Sequence, residues 1–198
     1  MRKIHSKDTL LRSGLNLVLS KGFNATGVEA ILKQAKIPRG SFYNFFSSKE
    51  EFGLALIDVY AAKVANIVQE SFLNESLHPL ERIRESFERL IDIFEKNGCE
   101  GGCLLANLSL EMANTSENIR IRLDAALRNW ASALTAVVLG AQKDGAIPED
   151  LDAETLAENM IQSYQGALLL AKVKKTSEPL KNFMFMYFDV FLAQSNRK

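Results

Sequence analysis

The chain has little of what metal, disulfide or nucleotide chemistry draws on. It carries two cysteines, Cys99 and Cys103, four residues apart, and two histidines, His5 and His78. Two cysteines cannot build a disulfide framework. No CxxC, HExxH or grouped His/Asp/Glu set is present, so no metal and no other cofactor is expected. Neither a GxGxxG nor a GxxxxGK[ST] run offers a phosphate cradle, and nothing recruits His5 or His78 to a nucleophilic triad. Four prolines and 11 glycines in 198 residues exclude a collagen-like or low-complexity chain. Long apolar runs are also missing: the longest uncharged stretch, Asn129 to Gln142, falls short of the roughly 20 residues that cross a bilayer. The charged start, Met1 to Asp8, lacks the apolar segment of a secretory leader. A cytoplasmic protein with no membrane partner is the expectation.

What is present is an ordinary globular composition, 47% hydrophobic and 24% charged, ample for a core. The 24 basic and 24 acidic side chains cancel overall but not locally. Residues 1–49 hold nine basic side chains (Arg2, Lys3, Lys7, Arg12, Lys21, Lys33, Lys36, Arg39, Lys49) against Asp8 and Glu29, a net of +7. The remainder carries −7. A basic module ahead of an acidic body points the front of the chain at a polyanion.

Periodicity is helical throughout. From Ser6 to Ser20, Leu10, Leu11, Leu15, Val18 and Leu19 recur at helical spacing, and Gly22 supplies a stop. Thr26-Gly27-Val28-Glu29 reads as a capping box opening a second helix with Val28, Ile31, Leu32 and Ala35 inside. Lys36-Ile37-Pro38 ends it, since the residue before proline avoids the helical region. Gly40 to Phe46 forms a short third element, with Phe42 and Phe46 inward and Tyr43 and Asn44 outward. A second capping box, Ser47-Ser48-Lys49-Glu50, opens a long helix to about Glu70. Two short helices joined by a tight turn and braced by a first helix make a helix-turn-helix, which places its second helix in the major groove of DNA. Thr26 and Lys49 each mark a helix start, where free amides favour an anion.

The run Gly22-Phe23, Thr26, Val28, Ile31, Ala35, Ile37-Pro38-Arg39-Gly40-Ser41-Phe42-Tyr43-Asn44-Phe45-Phe46 and Ser48-Lys49-Glu50 resembles the amino-terminal domain of TetR-type transcriptional repressors over about residues 5–55. The resemblance implies an all-α fold, with a three-helix DNA-binding head (1–47) and a helical ligand-binding and dimerisation domain (48–198) that starts with a connecting helix (48–70). It also implies a homodimer on a near-palindromic double-stranded operator, released by a small-molecule inducer. Thr26, Lys49 and Tyr43 then grip phosphates. Arg39, Ser41 and Asn44 meet base edges or nearby phosphates, and Gly40 allows close backbone approach. Two residues depart from the family pattern. Lys36 replaces the turn glycine, so a different backbone is expected there, and Phe45 replaces a phosphate-touching histidine or tyrosine.

Beyond residue 70 the expected helices run Pro79–Lys96, Gly102–Ala113, Glu117–Lys143, Asp152–Lys174 and Pro179–Gln194, separated by turn formers. The last two are apolar on more than one face, which suits either a wholly internal position or packing on a partner copy. The resemblance favours the partner copy. Phe87, Ile91, Phe94, Trp130, Leu134, Tyr164 and Gln165 are the candidate lining of an effector pocket. Cys103 follows Glu100-Gly101-Gly102 at a helix start, where free amides favour a thiolate. Its setting, Gly102-Cys103-Leu104-Leu105-Ala106-Asn107-Leu108, resembles a subgroup that includes electrophile- and oxidant-responsive repressors, in which such a cysteine is the sensor and Lys172 matches a helper lysine. Cys99 is a further resolving-thiol candidate. The regulatory alternatives are an activator, or a repressor answering a non-covalent apolar ligand. An enzyme is not expected: a helical thiol enzyme using Cys103 lacks a neighbouring histidine and leaves the +7 head unexplained.

Overall fold

The computed structural model describes residues 7–192. His5, Arg2, Lys3 and Ser6, with the end of the final expected helix at Gln194, lie outside the described residues. Within them the chain is all-α, as its periodicity predicts. Eight helices follow in order: α1 (Lys7–Lys21), α2 (Val28–Ala35), α3 (Lys49–Phe72), α4 (Pro79–Lys96), α5 (Leu104–Met112), α6 (Glu117–Lys143), α7 (Ala153–Lys174) and α8 (Glu178–Met184). A 3₁₀ segment spans Arg39–Asn44, and α8 continues as a π-helical stretch, Phe185–Phe191. These elements gather into two compact units, residues 7–62 with 103–126 and residues 63–102 with 127–192. The long helices α3 and α6 contribute to both.

In the first unit, α1 buries Leu10, Leu11 and Val18 and ends at Gly22, whose φ of +87° is the left-handed stop that glycine adopts without strain. The core of this unit is aromatic. Phe42 and Phe46 are buried and their rings stand 5.5 Å apart, with the Phe52 ring of α3 5.5 Å from the first and 5.1 Å from the second. Edge-to-face and tilted pairings at these separations are the favoured ones. Gly14 gives the cluster its room, because a Cβ there would sit 2.2 Å from Phe52 Cζ.

Local chemistry at the helix starts differs from the sequence expectation in two places. The Thr26 hydroxyl does not cap α2; it donates to the Gly22 carbonyl at 2.6 Å, and Gly27 is the N-cap, with no side-chain bond. The threonine closes the preceding turn instead, and Glu29 lies 3.6 Å from Arg39 on the surface. At α3 the capping pair is displaced by one residue. The Ser48 hydroxyl accepts from the Glu51 amide at 3.0 Å, and the Glu51 carboxylate takes the Ser47 amide and hydroxyl, both at 2.6 Å. Those bonds hold the Glu51 carboxyl below the usual carboxylate range. The freed Glu50 accepts from Ser116 Oγ instead.

Lys36 also corrects its expectation. The backbone keeps the left-handed turn, with φ +57°, and the Ile37 amide reaches back to the Leu32 carbonyl at 3.0 Å. A lysine tolerates this geometry at a cost of about 1–2 kcal/mol. The third element is a 3₁₀ segment rather than an α-helix over Gly40–Phe46.

In the second unit, α4 is strongly amphipathic, with Ile83, Phe87, Leu90, Ile91 and Phe94 buried on one stripe. Its start follows the rules for helix entry, with Pro79 at the first turn and the Glu81 carboxylate accepting from the His78 amide at 3.1 Å. The Gln142 carboxamide donates to the Pro148 and Leu151 carbonyls at 2.8 and 2.7 Å, closing the α6–α7 turn. Asp152 then caps α7 by accepting from the Thr155 amide at 2.8 Å. Among the described residues no helix is long and apolar enough to cross a membrane.

Gly14→Ala is expected to destabilise the protein by about 1–3 kcal/mol, the usual cost of overpacking a filled core. Urea denaturation measures it, and an unchanged midpoint would mean that the Phe52 ring can slide aside.

Candidate nucleic-acid interface and effector site

The aromatic core of the first unit decides what the 3₁₀ segment shows to solvent. Phe42 is fully buried at its centre, and in a turn this tight the neighbouring side chains must point elsewhere. Arg39, Gly40, Tyr43 and Asn44 are exposed, Tyr43 by 67%, and Ser41 is half-buried. The Tyr43 ring stands edge-on to Phe42 at 5.5 Å, which fixes its direction. Hydroxyl, amide and guanidinium groups are thus gathered on one six-residue segment, free of the core. A Cβ at Gly40 would meet nothing within 4 Å, so that glycine leaves the backbone open to close approach.

Lys49 and Thr26 are placed differently from these. The Lys49 ammonium lies 4.7 Å from the centre of the Phe23 ring and 3.4 Å from the Asn24 carbonyl. Partial burial lowers its pKa, and the nearby Glu111 carboxylate opposes that change. Thr26, expected to offer its hydroxyl to an anion, is only 1% exposed and spends that hydroxyl on Gly22. That bond closes the turn between α1 and α2. Phe45 is half-buried.

Part of the expected effector lining is gathered in the second unit. The Phe87 ring lies 5.4 Å from Tyr164 and 6.5 Å from Trp130, and Trp130 lies 6.0 Å from Tyr164. Phe183 joins the cluster, 5.1 Å from Phe87 and 5.9 Å from Tyr164, with Tyr187 5.1 Å beyond it. The apolar stripe of the last helix did not single Phe183 out. Ile91, Phe94 and Leu134 are buried core side chains. Next to Tyr164 on α7, both polar atoms of the Gln165 carboxamide are buried without a hydrogen-bond partner. A buried amide left unpaired is costly, and such groups mark places where a ligand or water completes the bonding.

Cys103 is the N-cap residue of α5, with 6% of its surface exposed. Lys172 is half-buried on α7. Cys99 is half-buried with φ +58°, closing α4 through its amide to the Phe94 carbonyl at 3.0 Å. Glu111, on the last turn of α5, accepts the amides of Phe23 and Asn24. Sequence reasoning missed it, because a carboxylate bonded to backbone 88 residues away leaves no local pattern. Among the described residues no group of three or more His, Cys, Asp or Glu is placed to hold a metal ion.

Comparison with known proteins identifies the family. Residues 10–56 match the model described as bacterial regulatory proteins, tetR family, and residues 79–186 match that described as tetracyclin repressor-like, C-terminal domain. The chain is 36% identical over 187 residues to the transcriptional regulator AcuR of Cereibacter sphaeroides, covering 94% of this chain and 85% of that one. It is 29% identical over 195 residues to the transcriptional repressor DhaR of a Mycobacterium species, covering 98% and 96%. Among solved structures, a regulatory protein TetR from Rhodobacter sphaeroides superposes with a TM-score of 0.88 at 35% identity, over 92% of this chain and 96% of that one. The reduced form of Escherichia coli NemR does so with a TM-score of 0.78 at 27% identity, over the same shares. Fold and head together define a bacterial DNA-binding transcriptional regulator with an amino-terminal helix-turn-helix. The chain belongs to the TetR family.

Gln165→Met removes the orphan amide at nearly constant volume. The ligand-free protein is expected to gain about 1–3 kcal/mol, the desolvation cost of an unpaired buried amide. A rise in Tm by calorimetry supports this; a fall would mean that the amide is satisfied in solution.

Proposed function

We propose that the chain is an effector-responsive repressor that binds a near-palindromic operator as a homodimer. The carrying observation is the outward display of Arg39, Tyr43 and Asn44 from a segment whose Phe42 is locked in the core. Arg39, Ser41 and Asn44 read base edges or adjacent phosphates, Tyr43 and Lys49 hold phosphates, and Thr26 braces the turn that presents Lys49. Dimerisation uses the apolar side chains left exposed on α7 and the π-helical stretch. Leu169, Leu170, Val173, Phe185, Met186 and Phe191 are between 44% and 75% exposed, apolar side chains of the kind a partner surface covers. A groove of about 390 Å³ lies between Thr155, Leu156 and Asn159 on one side and Met186, Tyr187 and Phe191 on the other. Two copies of one head then face successive major-groove turns.

Release follows from differential binding: an effector that favours a body conformation in which the heads no longer match the half-site spacing lowers operator affinity. The continuous helix α3 joins head and body and is the route for that change. Two effector chemistries have support. Alkylation or oxidation of Cys103, the sensor that the family resemblance implies, would repack the start of α5. A non-covalent ligand with a polar group is favoured by the buried, unpaired Gln165 amide, and an aromatic or apolar one by the rings of Phe87, Trp130, Tyr164 and Phe183.

Selection from random duplexes, followed by fluorescence anisotropy, tests the head. Lys49→Ala is expected to weaken binding to every duplex and to flatten the salt dependence. Asn44→Ala is expected to relax sequence preference by about 1–3 kcal/mol. If neither changes binding, the assignment is wrong. N-ethylmaleimide separates the two effector chemistries. Release of operator by wild type but not by Cys103→Ser assigns sensing to the thiol, and equal release by both removes Cys103 from the mechanism.

A further inference from the structure

The corner between α5 and α6 packs within the same compact unit as the reading head and is tied to it by polar bonds. Ser116 Oγ donates to the Glu50 carboxylate at the start of α3, and the Arg122 guanidinium meets Asp58 about two turns further along α3. Glu111 makes the tie to the head's own backbone. Its Oε1 accepts the Phe23 amide at 3.0 Å and its Oε2 accepts the Asn24 amide at 2.8 Å. Both amides lie in the turn between α1 and α2, just past Gly22.

That turn is built to receive a carboxylate. A Cβ at Gly22 would come within 2.9 Å of Glu111 Oε1, and φ there is +87°, so glycine meets both requirements at once. The residues so held in turn hold the phosphate-facing groups. The Lys49 ammonium rests on the Phe23 ring and beside the Asn24 carbonyl, and the Thr26 hydroxyl bonds the Gly22 carbonyl. Loosening residues 22–24 therefore loosens the seat of Lys49 and the entry to α2.

We propose that Glu111 is a positioning residue for operator binding, its carboxylate fastening the α1–α2 turn to α5 so that Lys49 and the helix-turn-helix are presented in one fixed orientation. This rests on the DNA-binding reading above. It also makes α5, whose first turn carries Cys103 as N-cap, a direct lever on the head.

Charge alone predicts the opposite sign, and that separates a positioning role from a purely electrostatic one. A carboxylate beside Lys49 repels a phosphate backbone, so removing it should tighten DNA binding if position did not matter. The experiment compares full-length wild type, Glu111→Gln and Glu111→Asp, using the selected operator and a scrambled duplex in anisotropy and amide hydrogen exchange across residues 22–24. Glu111→Gln keeps one acceptor oxygen and loses the charge; Glu111→Asp keeps the charge and loses reach. Both are expected to weaken operator binding about tenfold, in line with loss of one charge-assisted hydrogen bond. Scrambled duplex is expected to bind Glu111→Gln as well as or slightly better than wild type. Protection of the Phe23 and Asn24 amides should fall in both variants. Unchanged or tighter operator binding by Glu111→Gln overturns the proposal, as does a Glu111→Asp variant that matches wild type. If either variant does not fold, the wild-type amides decide: fast exchange at both Phe23 and Asn24 overturns the clasp, and slow exchange sustains it. A wild type that enriches no duplex defeats the DNA-binding reading itself, whereas a wild type that binds operator while the Glu111 variants are indifferent defeats only the positioning role.

Discussion

The close contact of three phenylalanine rings over a glycine is the constraint on which the head depends. Phe42, Phe46 and Phe52 fill the space between the 3₁₀ segment, α1 and α3, and they do so only because Gly14 has no side chain. Ring packing of this kind is directional, so fixing Phe42 fixes the side chains on either side of it. The polar groups of the segment are therefore displayed by the apolar ones. A stable core and a reading surface are two faces of one short element.

Polar bonds then join that element to the rest of its unit. Glu50, Asp58 and Glu111 are acidic side chains in a chain whose front carries a large positive excess, and each is spent on a neighbouring segment of the protein rather than left facing solvent alone. Their bonds run between segments far apart in sequence. Bonds to ionised groups are the stronger kind and the more sensitive to geometry. These three acidic residues thus act as fasteners within the unit that holds the basic front of the chain.

The second unit leaves two kinds of feature unexplained by its own packing. One is buried polar atoms without a bond, on Gln165 and at Glu85 Oε2, and the other is the exposed apolar side chains on α7 and the π-helical stretch. A protein that folded only to be stable would have satisfied the first and covered the second. The proposed effector and the proposed second subunit each answer one of these.

The helices were legible in the residues because burial on one face forces a period close to 3.6. The Leu10, Leu11 and Val18 stripe, the Phe42–Phe46 pair and the strongly amphipathic α4 all lie as that period requires. The run from Thr26 to Glu50 carried enough residue types at fixed spacing to indicate the DNA-binding head. Local pattern failed where a side chain had a choice of partners: Thr26 turned to Gly22, Glu51 displaced Glu50 from the α3 cap, and Lys36 took a left-handed turn held by the Ile37 amide. Glu111 was invisible for the same reason, since two backbone amides carry no residue identity to recognise. The order of residues determined which segments coil and which sides of them are apolar, because those follow from neighbours a few positions away. Which carboxylate meets which amide, and which aromatic rings share one cluster, only the folded chain could decide, because hydrogen bonds and ring contacts depend on distances that sequence spacing does not contain.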